Sequence, residues 1–147
     1  MVVDIAYQFH TLTEFKAALP EKSVTTINLS THDCKSLNLN LRKWENVTTL
    51  LVHTNTKKVY VENGSSLKCI RCEYNNFATN VTALSVINCA NFVNYKQYTG
   101  LKKLYIGNNN VQTIQNLLNL TRLCLVHCHN LSQIENLPMT KSVAVSH

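Results

Sequence analysis

An α/β solenoid, in which successive coils each add one short parallel strand to a common sheet, is the fold this sequence predicts. Three observations carry it. A nine-residue pattern recurs along most of the chain, apolar and polar residues alternate inside each copy, and a helix-forming segment precedes the first copy. With 147 residues, 45% of them hydrophobic, the chain suits one continuous core and is too short for two ordinary domains. Only 3 Gly and 2 Pro occur, so no linker or low-complexity segment divides it.

Residues 1–22 are expected to form a helical cap. In "TLTEFKAAL" Thr11 and Glu14 have capping-box spacing, Leu12, Phe15 and Leu19 share a helical face, and Pro20 ends the run. An open stack of coils exposes apolar ends, which is why a cap is needed. The opening "MVVDIAYQFH" lacks the basic start and apolar core of a signal peptide, and no run approaches the roughly 18 apolar residues of a membrane helix. The expectation is a soluble, cytoplasmic protein.

The copies are "VTTINLSTH" (24–32), "VTTLLVHTN" (47–55), "LKCIRCEYN" (67–75), "VTALSVINC" (81–89), "LKKLYIGNN" (101–109) and "LTRLCLVHC" (120–128), with a partial seventh in "TKSVAV" (140–145). Each reads apolar-x-x-apolar-x-apolar-x-x-Asn or Cys, with His32 and Cys72 as exceptions. Their starts are 23, 20, 14, 20, 19 and 20 residues apart. Leu123 and Leu125 alternate with Arg122, Cys124 and Val126, as a strand with one buried face requires. Stacking about 4.8 Å apart would merge Ile27, Leu50, Ile70, Leu84, Leu104 and Leu123 into one core. Val111, Ile114 and Leu117, then Leu131, Ile134 and Leu137, are expected to close the back.

These residues resemble the leucine-rich repeat, whose pattern is L-x-x-L-x-L-x-x-N/C-x-L. The match is fullest over 101–137 and is similar to the short, irregular, intracellular type. The resemblance implies a horseshoe arc with a parallel concave sheet and a protein-binding role. Residues 23–147 then hold six repeats plus the partial seventh, in one domain with the cap. The 14-residue interval and the stretch 55–67 depart from the pattern and predict irregular curvature.

The ninth place explains most cysteines. Where the chain turns inward its amides lose ladder partners, and a buried Asn can both donate and accept there. Asn55, Asn75 and Asn109 occupy that place, and Cys89 and Cys128 replace Asn. Two coils, roughly 10 Å, separate Cys89 from Cys128, beyond the reach of about 7 Å that a disulfide allows. Cys69 and Cys72 have zinc-like spacing, but alternation points them to opposite sides and no second pair completes a ligand set. Neither a metal nor a cofactor is expected, and six cysteines without a secretory signal fit free thiols. Cys34 has no assignment. Six Asn-x-Ser/Thr triplets are ascribed mostly to composition in so Asn-rich a chain.

No Gly-rich phosphate loop, G-x-S-x-G or H-E-x-x-H occurs, and no nucleophile, base and orienter come together, so no enzyme activity is expected. Function is assigned to outward strand positions on the concave face: Leu51, His53, Arg71, Glu73, Tyr74, Lys103, Tyr105, Arg122, Cys124 and His127. Tyr and Arg anchor many protein interfaces. Lys and Arg outnumber Asp and Glu by 14 to 8, which favours an acidic or phosphorylated protein segment as partner. The alternative is nucleic acid on the same basic strip, although the charges form no block. The chain runs to "VAVSH" on a strand, which predicts association or limited stability at that edge.

Overall fold

Strands of three to five residues cannot bury a core alone, so this chain must stack them. The computed structural model describes residues 4–73, 76–92 and 95–146. In order, it contains β1 (Ala6–Gln8), α1 (Leu12–Ala17), β2 (Thr26–Asn28), β3 (Ser36–Asn40), β4 (Thr49–Val52), β5 (Lys58–Glu62), β6 (Cys69–Cys72) and β7 (Ala83–Ile87). A 3-10 turn (Tyr95–Gln97) follows, then β8 (Lys103–Gly107), β9 (Thr113–Gln115), β10 (Arg122–Val126), β11 (Gln133–Glu135) and β12 (Ser142–Ser146). The result is a parallel β-solenoid of about 7 turns, nearly all sheet and almost without helix.

All but one of the turns from β2 onward carry two strands, which corrects the expectation of one strand per coil. A four-stranded sheet has the order β1-β2-β4-β6, and a six-stranded sheet the order β3-β5-β7-β8-β10-β12. β9 and β11 form a separate pair. In the six-stranded sheet Ser36, Lys58, Ala83, Lys103, Arg122 and Ser142 lie in register, at intervals of 22, 25, 20, 19 and 20 residues. The first three sequence copies belong to the four-stranded sheet and the later ones to the six-stranded sheet. The short third interval is therefore half a coil, from β6 to β7, and no coil is compressed. Inward residues of both sheets, such as Ile27, Leu50 and Ile70 against Leu37, Val59, Leu84, Leu104 and Leu123, belong to one buried cluster.

The 3-10 turn stands where the fourth coil would add a strand beside β6. In a parallel ladder, alternate residues direct both backbone groups to the coil behind and the coil ahead. The amide of Cys69 donates to Thr48 behind, so Ile70 faces ahead, where no strand follows among the described residues. The hydroxyl of Tyr98 fills the gap: it donates to the Ile70 carbonyl at 3.1 Å and accepts from the Ile70 amide at 3.1 Å. Burial pushes this phenol far above its ordinary pKa. Phe92 stacks on Tyr98 with centroids 5.9 Å apart, so aromatic volume replaces the absent strand.

Turns repeat as strictly as strands. Asn63, Asn88, Asn108 and His127 leave successive strands of the six-stranded sheet with φ of 58°, 55°, 50° and 53°. This left-handed region penalises most L-residues, and Asn tolerates it best after Gly. The side-chain Nδ2 of Asn88 donates to Asn63 Oδ1 at 3.0 Å, and that of Asn108 to Asn88 Oδ1 at 2.7 Å, making an exposed side-chain ladder. One residue further on, Cys89, Asn109 and Cys128 are buried in successive turns. Asn109 donates to the carbonyls of Cys89 at 2.5 Å and Phe92 at 3.2 Å, and accepts from the Val111 amide at 2.8 Å. Gly64 takes the equivalent place one coil before Cys89, and an added Cβ there would lie 3.2 Å from Cys89 Sγ.

Asn55 does not join this buried row. It is exposed and donates to Asp33 at 3.2 Å, because its turn follows the four-stranded sheet instead. Asn75 lies outside the described residues. The Asn-x-Thr triplets also have a structural cause, which corrects their ascription to composition. Asn46, Asn80 and Asn119 donate to the carbonyls of Lys22, Thr54 and Thr99, one coil behind, at 2.7, 2.7 and 3.1 Å. Two residues on, the hydroxyls of Thr48, Thr82 and Thr121 donate to the carbonyls of Thr25, Lys57 and Lys102 in that same coil. The residue between, Val47, Val81 or Leu120, is buried.

At the N-terminal end, α1 shows the box spacing in atoms. Thr11 Oγ1 accepts from the Glu14 amide at 3.1 Å, and Glu14 Oε2 accepts from the His10 amide at 2.9 Å. Phe15 stacks on Trp44 with centroids 5.7 Å apart and meets Phe9 edge-on at 5.5 Å. Leu19 departs from the expected helical face and is 86% exposed. The helix ends at Ala17, and Pro20 disfavours helical backbone in the residue before it. β1, not the helix, forms the edge of the four-stranded sheet. Among the described residues no helix is long and apolar enough to cross a membrane.

Candidate binding face

Alternation along each strand of the six-stranded sheet sends every second side chain outward, away from the core. In β8 and β10 the inward Leu104, Ile106, Leu123 and Leu125 are buried, while Lys103 and Arg122 are exposed. Register places Arg122 beside Lys103 and Cys124 beside Tyr105. Ser85 and Tyr60 continue the tyrosine row across β7 and β5. Tyr60, Lys103, Tyr105, Arg122 and Cys124 together line a shallow depression of about 190 Å³.

The expected site residues divide between two sheets. Lys103, Tyr105, Arg122 and Cys124 are brought together on the six-stranded sheet, with the exposed His127 just beyond β10 and its ring 5.9 Å from that of His129. Leu51, His53, Arg71 and Glu73 follow the other sheet and form no common face with them. Leu51 is only 9% exposed, since β4 is buried over most of its length. His53 Nδ1 lies 3.6 Å from Asp33 and accepts from the Asn55 amide at 3.1 Å. Tyr74 lies outside the described residues. The single concave strip is thus corrected to two separate surfaces.

The six-stranded sheet carries a longer row of charge than one strand per coil implies. Lys35, Lys57, Lys102 and Lys141 precede strands of the six-stranded sheet, and Lys58, Lys103 and Arg122 begin them. All seven are exposed, and no acid stands at the equivalent places in that sheet. The period-two runs "SLNLN" and "KVYVE" were the signal for β3 and β5, and hence for Lys35, Lys57, Lys58 and Tyr60. Five strand spacings give this row a length of about 24 Å. Ammonium and guanidinium groups so arranged can hold an extended anion, and the adjacent phenols offer flat contact area.

The cysteines separate by burial. Cys72, Cys89 and Cys128 are buried, and Cys34, Cys69 and Cys124 are partly exposed. Burial pushes the thiols of Cys72, Cys89 and Cys128 above the ordinary value, although backbone hydrogen bonds to Cys89 and Cys128 oppose the shift. Cys89 Sγ donates to the Ile87 carbonyl at 3.3 Å, and Cys128 Sγ to that of Val126 at 3.6 Å. Cys34 begins the first coil's passage into the six-stranded sheet, and its carbonyl accepts from the buried hydroxyl of Thr56 at 2.9 Å. Among the described residues no group of three His, Cys, Asp or Glu side chains could hold a metal ion. No family model, no curated protein and no solved structure matches this chain.

Proposed function

We propose that this protein is a non-catalytic interaction module, a scaffold of irregular leucine-rich repeats that holds an acidic or phosphorylated segment of a partner protein on its six-stranded sheet. The row of exposed cations from Lys35 to Lys141, without an interposed acid, is the observation that carries the reading. Tyr60, Tyr105 and Arg122 supply the residue types that anchor interfaces, and the rigid strands beneath hold them in place before binding. Asn or Cys at the ninth place supports the finer repeat type. Six unpaired cysteines, three of them in the core, support a reducing compartment such as the cytoplasm.

Nucleic acid is the second reading, favoured by the same cations beside two tyrosines on which bases can stack. Fluorescence anisotropy with acidic and phosphorylated peptides, and with single-stranded oligonucleotides, separates the two. Peptide binding lost in Lys103→Glu/Tyr105→Ala/Arg122→Glu, at an unchanged denaturation midpoint, is the expected result. Tighter oligonucleotide binding, with a log–log salt slope near the roughly −5 that seven phosphate contacts imply, would establish the second reading. Equal binding by both proteins would remove this face from consideration.

A further inference from the structure

We propose that the depression over β7 is a pocket for one phosphotyrosine side chain, so that the anion of the partner segment is a phosphate carried on an aromatic ring. The inference rests on the reading of this sheet as an anion-binding face and narrows it to one residue type. A dip in the outward layer is the first observation. β7 presents Ala83 and Ser85 there, between Lys58 and Tyr60 of β5 on one side and Lys103 and Tyr105 of β8 on the other. Two small residues between two pairs of long ones leave the depression of about 190 Å³. Tyr105 does not close it. A Cβ added at Gly107 would lie 3.4 Å from Tyr105 Cε1, so the ring leans along its strand over the glycine and away from Lys103.

Lining chemistry is the second observation. Ala83, only 8% exposed, and the buried Leu84 and Leu104 give the depression an apolar floor, while the exposed Lys103 and Arg122 stand at its rim. An apolar cavity of about 150 Å³ takes one benzene ring, so this space suits a single ring with its substituent emerging. An uncharged aromatic group would leave the cations unanswered. A phosphoserine or an acidic side chain would answer them and leave the apolar floor wet. Floor and rim are both satisfied by one side chain with a flat apolar body and an anionic tip.

Charge placement fixes which way the side chain lies. The third and fifth places of a copy are two strand residues apart, about 6.6 Å, which is room for a phenyl ring to lie between them. Its phosphate then falls at the third place, among Lys58, Lys103 and Arg122. Glu62, the one acid within the strands of this sheet among the described residues, stands at the other end of β5, beyond Tyr60, and repels an anion entering the opposite way round. The phosphate offers three acceptor oxygens, so it can take a bidentate pair from the Arg122 guanidinium and a further bond from an ammonium. At the fifth place the body of the guest ring meets the phenols of Tyr60 and Tyr105, and aromatic contact favours it there.

Fluorescein-labelled peptides of one sequence, with glutamates flanking a central phosphotyrosine, phosphoserine, glutamate or tyrosine, read the pocket by anisotropy. The phosphotyrosine peptide should bind roughly tenfold more tightly than the phosphoserine one, because burial of its ring is added to the same charge. Phenyl phosphate should displace it at concentrations where serine phosphate does not. Ala83→Leu and Ser85→Leu each fill the dip and leave every cation in place. Each should abolish the preference while the phosphoserine and glutamate peptides keep their wild-type affinity, and an unchanged urea midpoint shows that the sheet is intact. Equal wild-type affinity for phosphotyrosine and phosphoserine peptides, or a preference that survives in a folded filled variant, would overturn the pocket and leave the anion-binding face standing. No binding of any of these peptides would overturn both together.

Discussion

Replacing Asn109 tests the turn that repeats through the solenoid, because its three hydrogen bonds do not weigh equally. The Cys89 carbonyl also accepts from the Phe92 amide at 3.1 Å, and the Phe92 carbonyl from the Tyr95 hydroxyl at 2.7 Å, so both keep a partner in Asn109→Ala. The Val111 amide, in a fully buried residue, has Asn109 Oδ1 as its acceptor and loses it. One orphaned buried donor costs about 1 to 3 kcal/mol, and the two lost carbonyl bonds add roughly 1 kcal/mol in total because each carbonyl stays bonded. The expected loss is about 3 kcal/mol, or roughly 6 to 12 °C in Tm for a chain of this size. Asn109→Cys is the informative comparison, since Cys fills the same turn in the coils on either side. Its thiol can donate to a carbonyl but accepts only weakly from the Val111 amide, so its loss should fall between those of alanine and wild type. Urea titration with an unchanged m-value measures both. Alanine behaving as wild type, or cysteine falling below alanine, would refute the account of this position.

Three other substitutions or treatments probe separate parts of the structure. Tyr98→Phe should destabilise by about 2 kcal/mol, because it leaves the buried Ile70 amide without an acceptor while apolar packing is kept; urea titration reads this directly. His127→Asn should stabilise by roughly 0.5 to 1 kcal/mol, since Asn tolerates left-handed backbone better and would extend the side-chain ladder from Asn108; a lower Tm would count against the ladder. Iodoacetamide at pH 8, read by mass spectrometry, should label Cys69 and Cys124 well before Cys72, Cys89 and Cys128. Burial disfavours the reactive thiolate, so that contrast should persist as pH rises and vanish in denaturant.

Repetition was legible where both halves of a coil kept an even length. From Leu101 onward the copies advance by 19 and 20 residues, and their register in β8, β10 and β12 follows directly. The earlier half misleads because the same pattern suits either sheet. Val24, Val47 and Leu67 begin passages into the four-stranded sheet, whereas Val81 begins a passage into the other, so the series of copies crosses between sheets from Leu67 to Val81. That exchange hid β3 and β5 and put Arg71 on the wrong face. The replacement of a strand by the hydroxyl of Tyr98 had no local signal, because it depends on a backbone group 28 residues away. Lys103, Tyr105, Arg122 and Cys124 were recoverable because they lie where the period is regular.

Stability and the proposed recognition rest on different atoms in this architecture, and that separation lets the proposed face be tested. The core takes the fourth and sixth places of each nine-residue copy, and the turns are held by Asn, Thr and Cys reaching to the coil behind. In β8 and β10 the exposed third-place Lys103 and Arg122 contribute to neither. Charge reversal at Lys103 or Arg122 removes no buried partner, so its effect on folding should stay within about 0.5 kcal/mol. A natural solenoid could carry many outward sequences on this frame, yet here the cations recur at the start of five of the six strands while the eight acids fall elsewhere. Packing does not require that placement, and mutual repulsion along a stack of about 4.8 Å spacing opposes it. An arrangement that is unfavourable and that the fold does not need is what the proposed anionic partner accounts for.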